Sequence, residues 1–224
     1  MSKILVVAVH PDDETLGCGG TILKHKSLGD EIYWLVVTSP IKGDRPSFTD
    51  EFISKRDAMV DSVAAAYGFN ETIRLNLPTQ KLHNVDLKDI IVKVSDVFKR
   101  IQPDTIYLMY KNDVHSDHRV AFDAVYSCTK SFRYPYINRI LMMETLSETE
   151  FSLATQATVF VPNVYVDITP YVDKKLEIMS MYIGEVMQEP FPRSLSSIKA
   201  QARIRGSRAG VMYAEAFQLV YEKR

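Results

Sequence analysis

Two short stretches hold most of the residues whose types suit metal chemistry. They are His10-Pro11-Asp12-Asp13-Glu14 and Asn112-Asp113-Val114-His115-Ser116-Asp117-His118. His10 offers a neutral imidazole and Asp13 a hard carboxylate oxygen, a mixed pair suited to zinc or a similar divalent ion. Two adjacent Asp side chains cannot point the same way off one backbone, so one can bind metal while the other faces water beside it. The chain has five His, at 10, 25, 83, 115 and 118, and three of them fall in these two stretches. Two His and one carboxylate, with a further position open to water, is the composition of a catalytic zinc site. Taken alone, the first stretch also reads as a polar turn with His10 hydrogen-bonded at a strand end; the second cluster is what favours a metal centre. Spacing leaves open which of His115 and His118 would bind.

Both stretches follow apolar runs that predict strands. Ile4 to Val9 is six consecutive apolar residues, as in a parallel strand buried on both faces. Pro11 cannot extend a ladder, so this strand should stop near His10. Leu16 to Gly20 reads as a flexible turn, and Thr21 to Leu28 as a helix closed by Gly29. Further strands are expected at Glu31–Thr38, Thr72–Leu75, Thr105–Met109 and Arg139–Glu144, with segments at Val159–Val161 and Tyr165–Ile168. Helices are expected at Asp50–Tyr67 after a Thr49 cap, Asp86–Arg100, His118–Lys130, Pro170–Gly184, and from a Ser194 or Ser196 cap to about Arg208. Loops fall at 39–48 and 76–84, and the stiff connection 189–194 carries Pro190 and Pro192.

This β-α-β alternation predicts one α/β domain over 1–224, a Rossmann-like, mostly parallel sheet flanked by helices. In a doubly wound order 3-2-1-4-5, strands one and four are neighbours, and ligands bind where the winding reverses. That would bring the two polar clusters together at the carboxyl ends of strands 1 and 4. The glycines do not fit dinucleotide binding, because Gly17-x-Gly19-Gly20 comes late after the strand and among carboxylates.

The bulk numbers exclude several classes. With 224 residues and 46% hydrophobic content the chain can bury a substantial core. A net charge of −1 gives no reason to expect nucleic acid or an anionic membrane surface. No apolar run approaches a membrane span. Met-Ser-Lys followed directly by the first strand leaves no room for a signal peptide, and two Cys, Cys18 and Cys128, make no disulfide framework. A cytoplasmic location is the expectation. Cys18 reads as a small filler in the glycine-rich turn and His83 as a loop residue. Glu144 reads as an exposed strand-end charge, although contact with the crevice is open to it. Arg193 reads as structural, with substrate contact as the alternative.

The motifs Ala8-Val9-His10-Pro11-Asp12-Asp13-Glu14 with Gly19-Gly20-Thr21, and His115-Ser116-Asp117-His118, resemble the zinc-dependent LmbE-like / PIG-L-type N-deacetylases. Arg56 with Ala64-Ala65-Ala66-Tyr67-Gly68 resembles the family's Arg-led helix, and Tyr213-Ala214-Glu215-Ala216-Phe217 a common ending. The family often carries a Glu three residues after that Arg, where Met59 stands here. The resemblance implies metal ligands His10, Asp13 and His118, holding Zn2+ or another divalent ion such as Fe2+. It implies hydrolysis of the N-acetyl group of an N-acetylglucosamine-type sugar or conjugate, with Asp12 as general base and Arg56 as a substrate contact. His115, if protonated, would stabilise the oxyanion, and Asp117 would hold His115 by hydrogen bond and favour its charged form. A homo-oligomer is consistent with the family. The alternatives are a hydrolase of a non-sugar N-acyl amide and a non-catalytic metal- or sugar-binding module.

Overall fold

A computed structural model describes residues 1–224. The first apolar run forms β1 (Lys3–Ala8), which ends just before His10. Along β1, alternate residues face opposite layers. Leu5 and Val7 join one buried cluster with Val94, Phe98 and Val125. Ile4, Val6 and Ala8 join another with Ile22, Trp34, Val63, Ile178 and Ile198. A strand sealed on both faces explains why its sequence shows no polar alternation.

The sheet has seven strands in the order β3-β2-β1-β4-β5-β7-β6. The first five are β1, β2 (Glu31–Ser39), β3 (Glu71–Pro78), β4 (Thr105–Met109) and β5 (Arg139–Met143), and their order is the predicted 3-2-1-4-5. They pair in parallel, with Ile4 opposite Thr105 and Val6 opposite Tyr107. Strands β6 (Val164–Asp167) and β7 (Ala214–Glu222) add an antiparallel edge. Strand β7 was not anticipated as a strand. The expected segment at Val159–Val161 is not one; the carbonyls of Thr158 and Val159 accept from the Tyr110 hydroxyl instead of a ladder.

Helices α2 (Asp50–Tyr67), α3 (Leu87–Ile101), α4 (Ser116–Ser127) and α6 (Leu195–Ala209) fall close to their predicted spans. Thr49 caps α2, accepting from the Phe52 N–H, and Gly68 closes it at φ 69°. Helix α5 (Val172–Met179) is shorter than predicted, and the chain after it brings Glu185 to Arg56 on α2.

The largest departure is α1, which runs Asp13–Ser27, so the glycine-rich segment is helical and not a loose turn. The helix kinks at Cys18 (φ −148°, ψ 22°). Its glycines serve close packing: a Cβ on Gly20 would lie 2.7 Å from the Ile168 side chain. The kink frees backbone groups that must find partners elsewhere. Glu215, from β7, accepts from the N–H of Gly20 and Thr21 and from the Thr21 hydroxyl. Lys175, from α5, donates to the Leu16 carbonyl and to Glu215 at 2.7 Å. Both are buried.

Removing one member of a buried ion pair strands the other charge and costs about 3–5 kcal/mol. Glu215→Ala should lower the stability read by urea unfolding by that order. Adding Lys175→Met should recover only part, because the Gly20 and Thr21 N–H groups still lack an acceptor. An unchanged urea midpoint in Glu215→Ala would contradict this account of the kink.

Candidate active site

The carboxyl ends of β1 and β4 lie side by side, and the two predicted clusters meet there. Ring centroids are 4.6 Å apart for His10 and His115, 5.4 Å for His10 and His118, and 5.6 Å for His115 and His118. A cavity of about 280 Å³ opens beside them, lined among others by His10, Asp12, Asp13, Arg56, His115 and Arg193.

The adjacent carboxylates of Asp12 and Asp13 point apart because the backbone between them is forced. Asp12 sits at φ 129°, a region few side chains adopt, at a cost of about 1–3 kcal/mol. Its N–H reaches the buried Glu14 carboxylate, which also accepts from the hydroxyls of Thr15 and Tyr182. Burial pushes the Glu14 carboxyl up to about 7, against those hydrogen bonds. Asp13 folds back, with Oδ2 accepting from the N–H of Val9 and His10 at 2.8 Å each. Asp12 meets Arg193, with Nη1 3.4 Å from Oδ2. Burial raises the Asp12 carboxyl well above its usual value, Asp13 and Glu185 add to the rise, and Arg193 opposes it.

Each of two imidazoles is gripped at one nitrogen by a carboxylate. Asp117 Oδ2 lies 3.2 Å from His10 Nε2, leaving Nδ1 as the other ring nitrogen. Asp113 Oδ2 lies 2.8 Å from His118 Nδ1, and Asp113 Oδ1 accepts from the Thr149 hydroxyl. His118 Nε2 is then a buried polar atom with no hydrogen-bond partner, 3.4 Å from Asp13 Oδ2. Burial disfavours charge on both Asp13 and His118, but each overcomes it for the other: Asp13 is held below the carboxylate range and His118 well above the imidazole one. One ligand atom each from His10, Asp13 and His118 falls within 4.8 Å of the others, and a second set, His10, His115 and Asp117, satisfies the same limit. In that second set Asp117 is engaged by the N–H groups of Gln80 and Leu82 as well as by His10, and His115 Nδ1 accepts from the Asp117 N–H. An orphaned imidazole nitrogen, a second imidazole and a carboxylate suit a divalent cation at the first set.

Two expected interactions are corrected. The Asp117 carboxylate does not hold His115; it holds His10, because α4 starts at Ser116 and His115 becomes its cap. Nor is His115 kept charged. Burial, with His10 and His118 beside it, lowers its imidazole to about 4. A third correction concerns Glu144, which is neither exposed nor in the cavity and pairs with Arg205 through both oxygens. Arg56 lines the cavity and meets Glu185 at 3.2 Å, so its acidic partner comes from a distant loop and not from position 59. Glu185 also meets Arg193 at 3.1 Å, giving a wall of alternating charge from Arg56 to Asp12. Thr145, which with Glu144 falls at the predicted end of the fifth strand, does line the cavity, whereas Glu185, Ser147 and Glu148 were not singled out in the sequence and Asp113 was given no role within its cluster. Asp113 had a signal, since it stands five residues before His118 in the same polar cluster; Glu185 had none.

The model of the PIG-L family, described as GlcNAc-PI de-N-acetylase, matches residues 5–129, more than half of the chain. The chain belongs to the PIG-L family. Among curated relatives, the uncharacterized deacetylase YaiS of Escherichia coli K12 is 29% identical over 126 residues, 54% of this chain and 64% of YaiS. The diacetylchitobiose deacetylase of Thermococcus kodakarensis is 22% identical, across 98% of this chain and 84% of that protein. Among solved structures, the N,N'-diacetylchitobiose deacetylase of Pyrococcus horikoshii superposes at a TM-score of 0.78 with 20% identity, covering 98% of this chain and 84% of its own. GalB, the 4-carboxy-2-hydroxymuconate hydratase of Pseudomonas putida KT2440, superposes at 0.80 with 20% identity, over 100% of this chain and 98% of its own. At such identities the likeness is one of fold.

Arg193 is the only side chain that donates to the Asp12 carboxylate. A crystal structure of Arg193→Ala should show that carboxylate in a different rotamer. An Asp12 left in place would exclude Arg193 as the group that orients it.

Proposed function

We propose that this chain is a metal-dependent N-deacetylase that removes the acetyl group from an N-acetylglucosamine-type sugar or sugar conjugate. The observation that carries this reading is the pair of carboxylate-gripped imidazoles whose remaining nitrogens are free for a cation beside Asp13, with a second, unshared carboxylate, Asp12, on the same cavity wall. His10, Asp13 and His118 would hold the cation. Two nitrogens and one oxygen suit Zn2+, and Fe2+ accepts the same set. When bound, such a cation supplies an acidified water and Lewis-acid polarisation of an acyl carbonyl.

The chain's own residues account for the proton movements. Asp12 takes a proton as water attacks the acetyl carbon, and its burial-raised carboxyl is suited to hold that proton. It then returns the proton to the nitrogen as the C–N bond breaks, which yields acetate and the free amine. His115 acts as a neutral donor. Its Nδ1 accepts from the Asp117 N–H, so the ring proton sits on Nε2, where it can meet the developing oxyanion. Arg56 and Glu185 offer a donor and an acceptor to sugar hydroxyls, which favours a sugar over an acyl peptide. The diacetylchitobiose deacetylases among the relatives agree with that substrate class.

Acetate release should be measured over N-acetylhexosamine conjugates and N-acyl peptides, together with metal content. Asp12→Ala should keep its metal and lose about 10²–10⁴-fold in kcat. His118→Ala should lose the metal, read by atomic emission after dialysis. Acetate from the peptides alone would replace the sugar reading with a general amidohydrolase. Stoichiometric metal with no acetate from either class would leave a binding module.

A further inference from the structure

The inner end of the cavity is taken up by the groups described above, but its mouth is built differently. Phe48 and Phe52 stack there with ring centroids 5.4 Å apart and planes 15° from parallel. The Arg45 guanidinium lies 5.7 Å over the Phe48 ring. All three residues line the cavity. Leu16, Pro11 and Pro40 are the other apolar residues in a wall that is otherwise polar, so the two rings form its one phenyl surface. Phe52 keeps 39% of its surface exposed.

This platform is held in place from both sides. The Phe48 N–H donates to the Arg45 carbonyl, which closes a turn, and Thr49 begins α2 one residue later. Lys42 pairs with Asp50 at 2.5 Å and Lys81 with Asp44 at 3.0 Å, tying the loop to α2 and to the segment after β3. The Thr79 N–H donates to the Ser39 carbonyl at the loop's start. The cavity's three arginines also differ. Arg56 and Arg193 both pair with Glu185, and Arg193 also with Asp12, while Arg45 rests on a ring and meets no carboxylate.

We propose that Arg45, Phe48 and Phe52 form a second subsite, which takes a ring-bearing, negatively charged substituent joined to the acetylated sugar. The ring of the substituent covers the open face of Phe52, and its anion meets Arg45. The proposal rests on the deacetylase reading for the identity of the sugar, but not for the chemistry of the subsite. Face-to-face contact with an aromatic ring favours flat or pyranose rings over chains. An anion at the mouth finds an unpaired counter-charge in Arg45, whereas Arg56 and Arg193 are already paired with carboxylates.

The test uses glucosides without an acetamide, which cannot turn over. The metal-loaded protein is titrated by calorimetry with methyl, phenyl, 4-carboxyphenyl and 4-phosphonophenyl β-D-glucoside. Affinity should rise about fivefold from methyl to phenyl, and about fivefold again with either anion at low salt. The tighter of the two charged ligands names the anion as carboxylate or phosphate-like. Phe52→Ala should erase the methyl-to-phenyl difference, and Arg45→Ala only the gain from the charge. Equal affinity for all four ligands overturns the proposal, as do gains that survive in both variants. The matching N-acetylglucosaminides are assayed for acetate in parallel. Failure there removes the deacetylase reading while the glucoside titrations still decide the subsite.

Discussion

A catalytic cation of this kind needs two imidazoles that present lone pairs to one point, and an imidazole has no fixed tautomer of its own. The structure imposes one on each ring with a carboxylate. Asp117 claims Nε2 of His10, and Asp113 claims Nδ1 of His118. Each grip demands a proton on the nitrogen it holds and leaves the other nitrogen as the one a cation would take. The rest of the fold can be read as what brings these pairs together. His10 comes from the end of β1 and His118 from the first turn of α4, after β4, and the two strands are hydrogen-bonded neighbours. Asp117 is kept in line by backbone N–H groups after β3, so a third crossover also reaches the centre.

Much of this was legible in the sequence because it depends on local patterns. Uninterrupted apolar runs marked the buried parallel strands, and the reversal of winding placed strands one and four together. That sufficed to bring His10, Asp13, His115 and His118 to one crevice. What stayed hidden depends on distant packing. The partner of Asp117 follows from where α4 begins, a matter of two residues. The ladder from Arg56 through Glu185 to Arg193 joins α2 to a loop more than a hundred residues away, and no spacing announces it. The glycine-rich segment was misread as a turn because helix propensity penalises glycine, whereas here the absence of side chains lets α1 lie against Ile168 and Met143. The alternation Ala214-Glu215-Ala216-Phe217 is a strand signal that its resemblance to a family ending obscured.

The scaffold does not itself decide the chemistry. A hydratase and a deacetylase both superpose on the whole of this sheet. Both reactions need an activated water and a base, and they differ in the group that receives the water. For this chain the proposed distinction rests on side chains: Asp12 paired with Arg193, an imidazole at His115 that burial keeps neutral, and a wall of alternating charge.

Helix α1 carries Asp13 at one end and a kink in its middle, and the kink is sealed only by Lys175 and Glu215. All three candidate ligands have been synthesised by residue 118, yet Lys175 and Glu215, which steady the helix that carries Asp13, come only later in the chain. A nascent chain emerging from the ribosome therefore owns the donors before it owns a rigid centre. Maturation of the centre is tied to completion of the final strand, so a fragment ending near residue 129 would carry the family's motifs without the frame that aligns them.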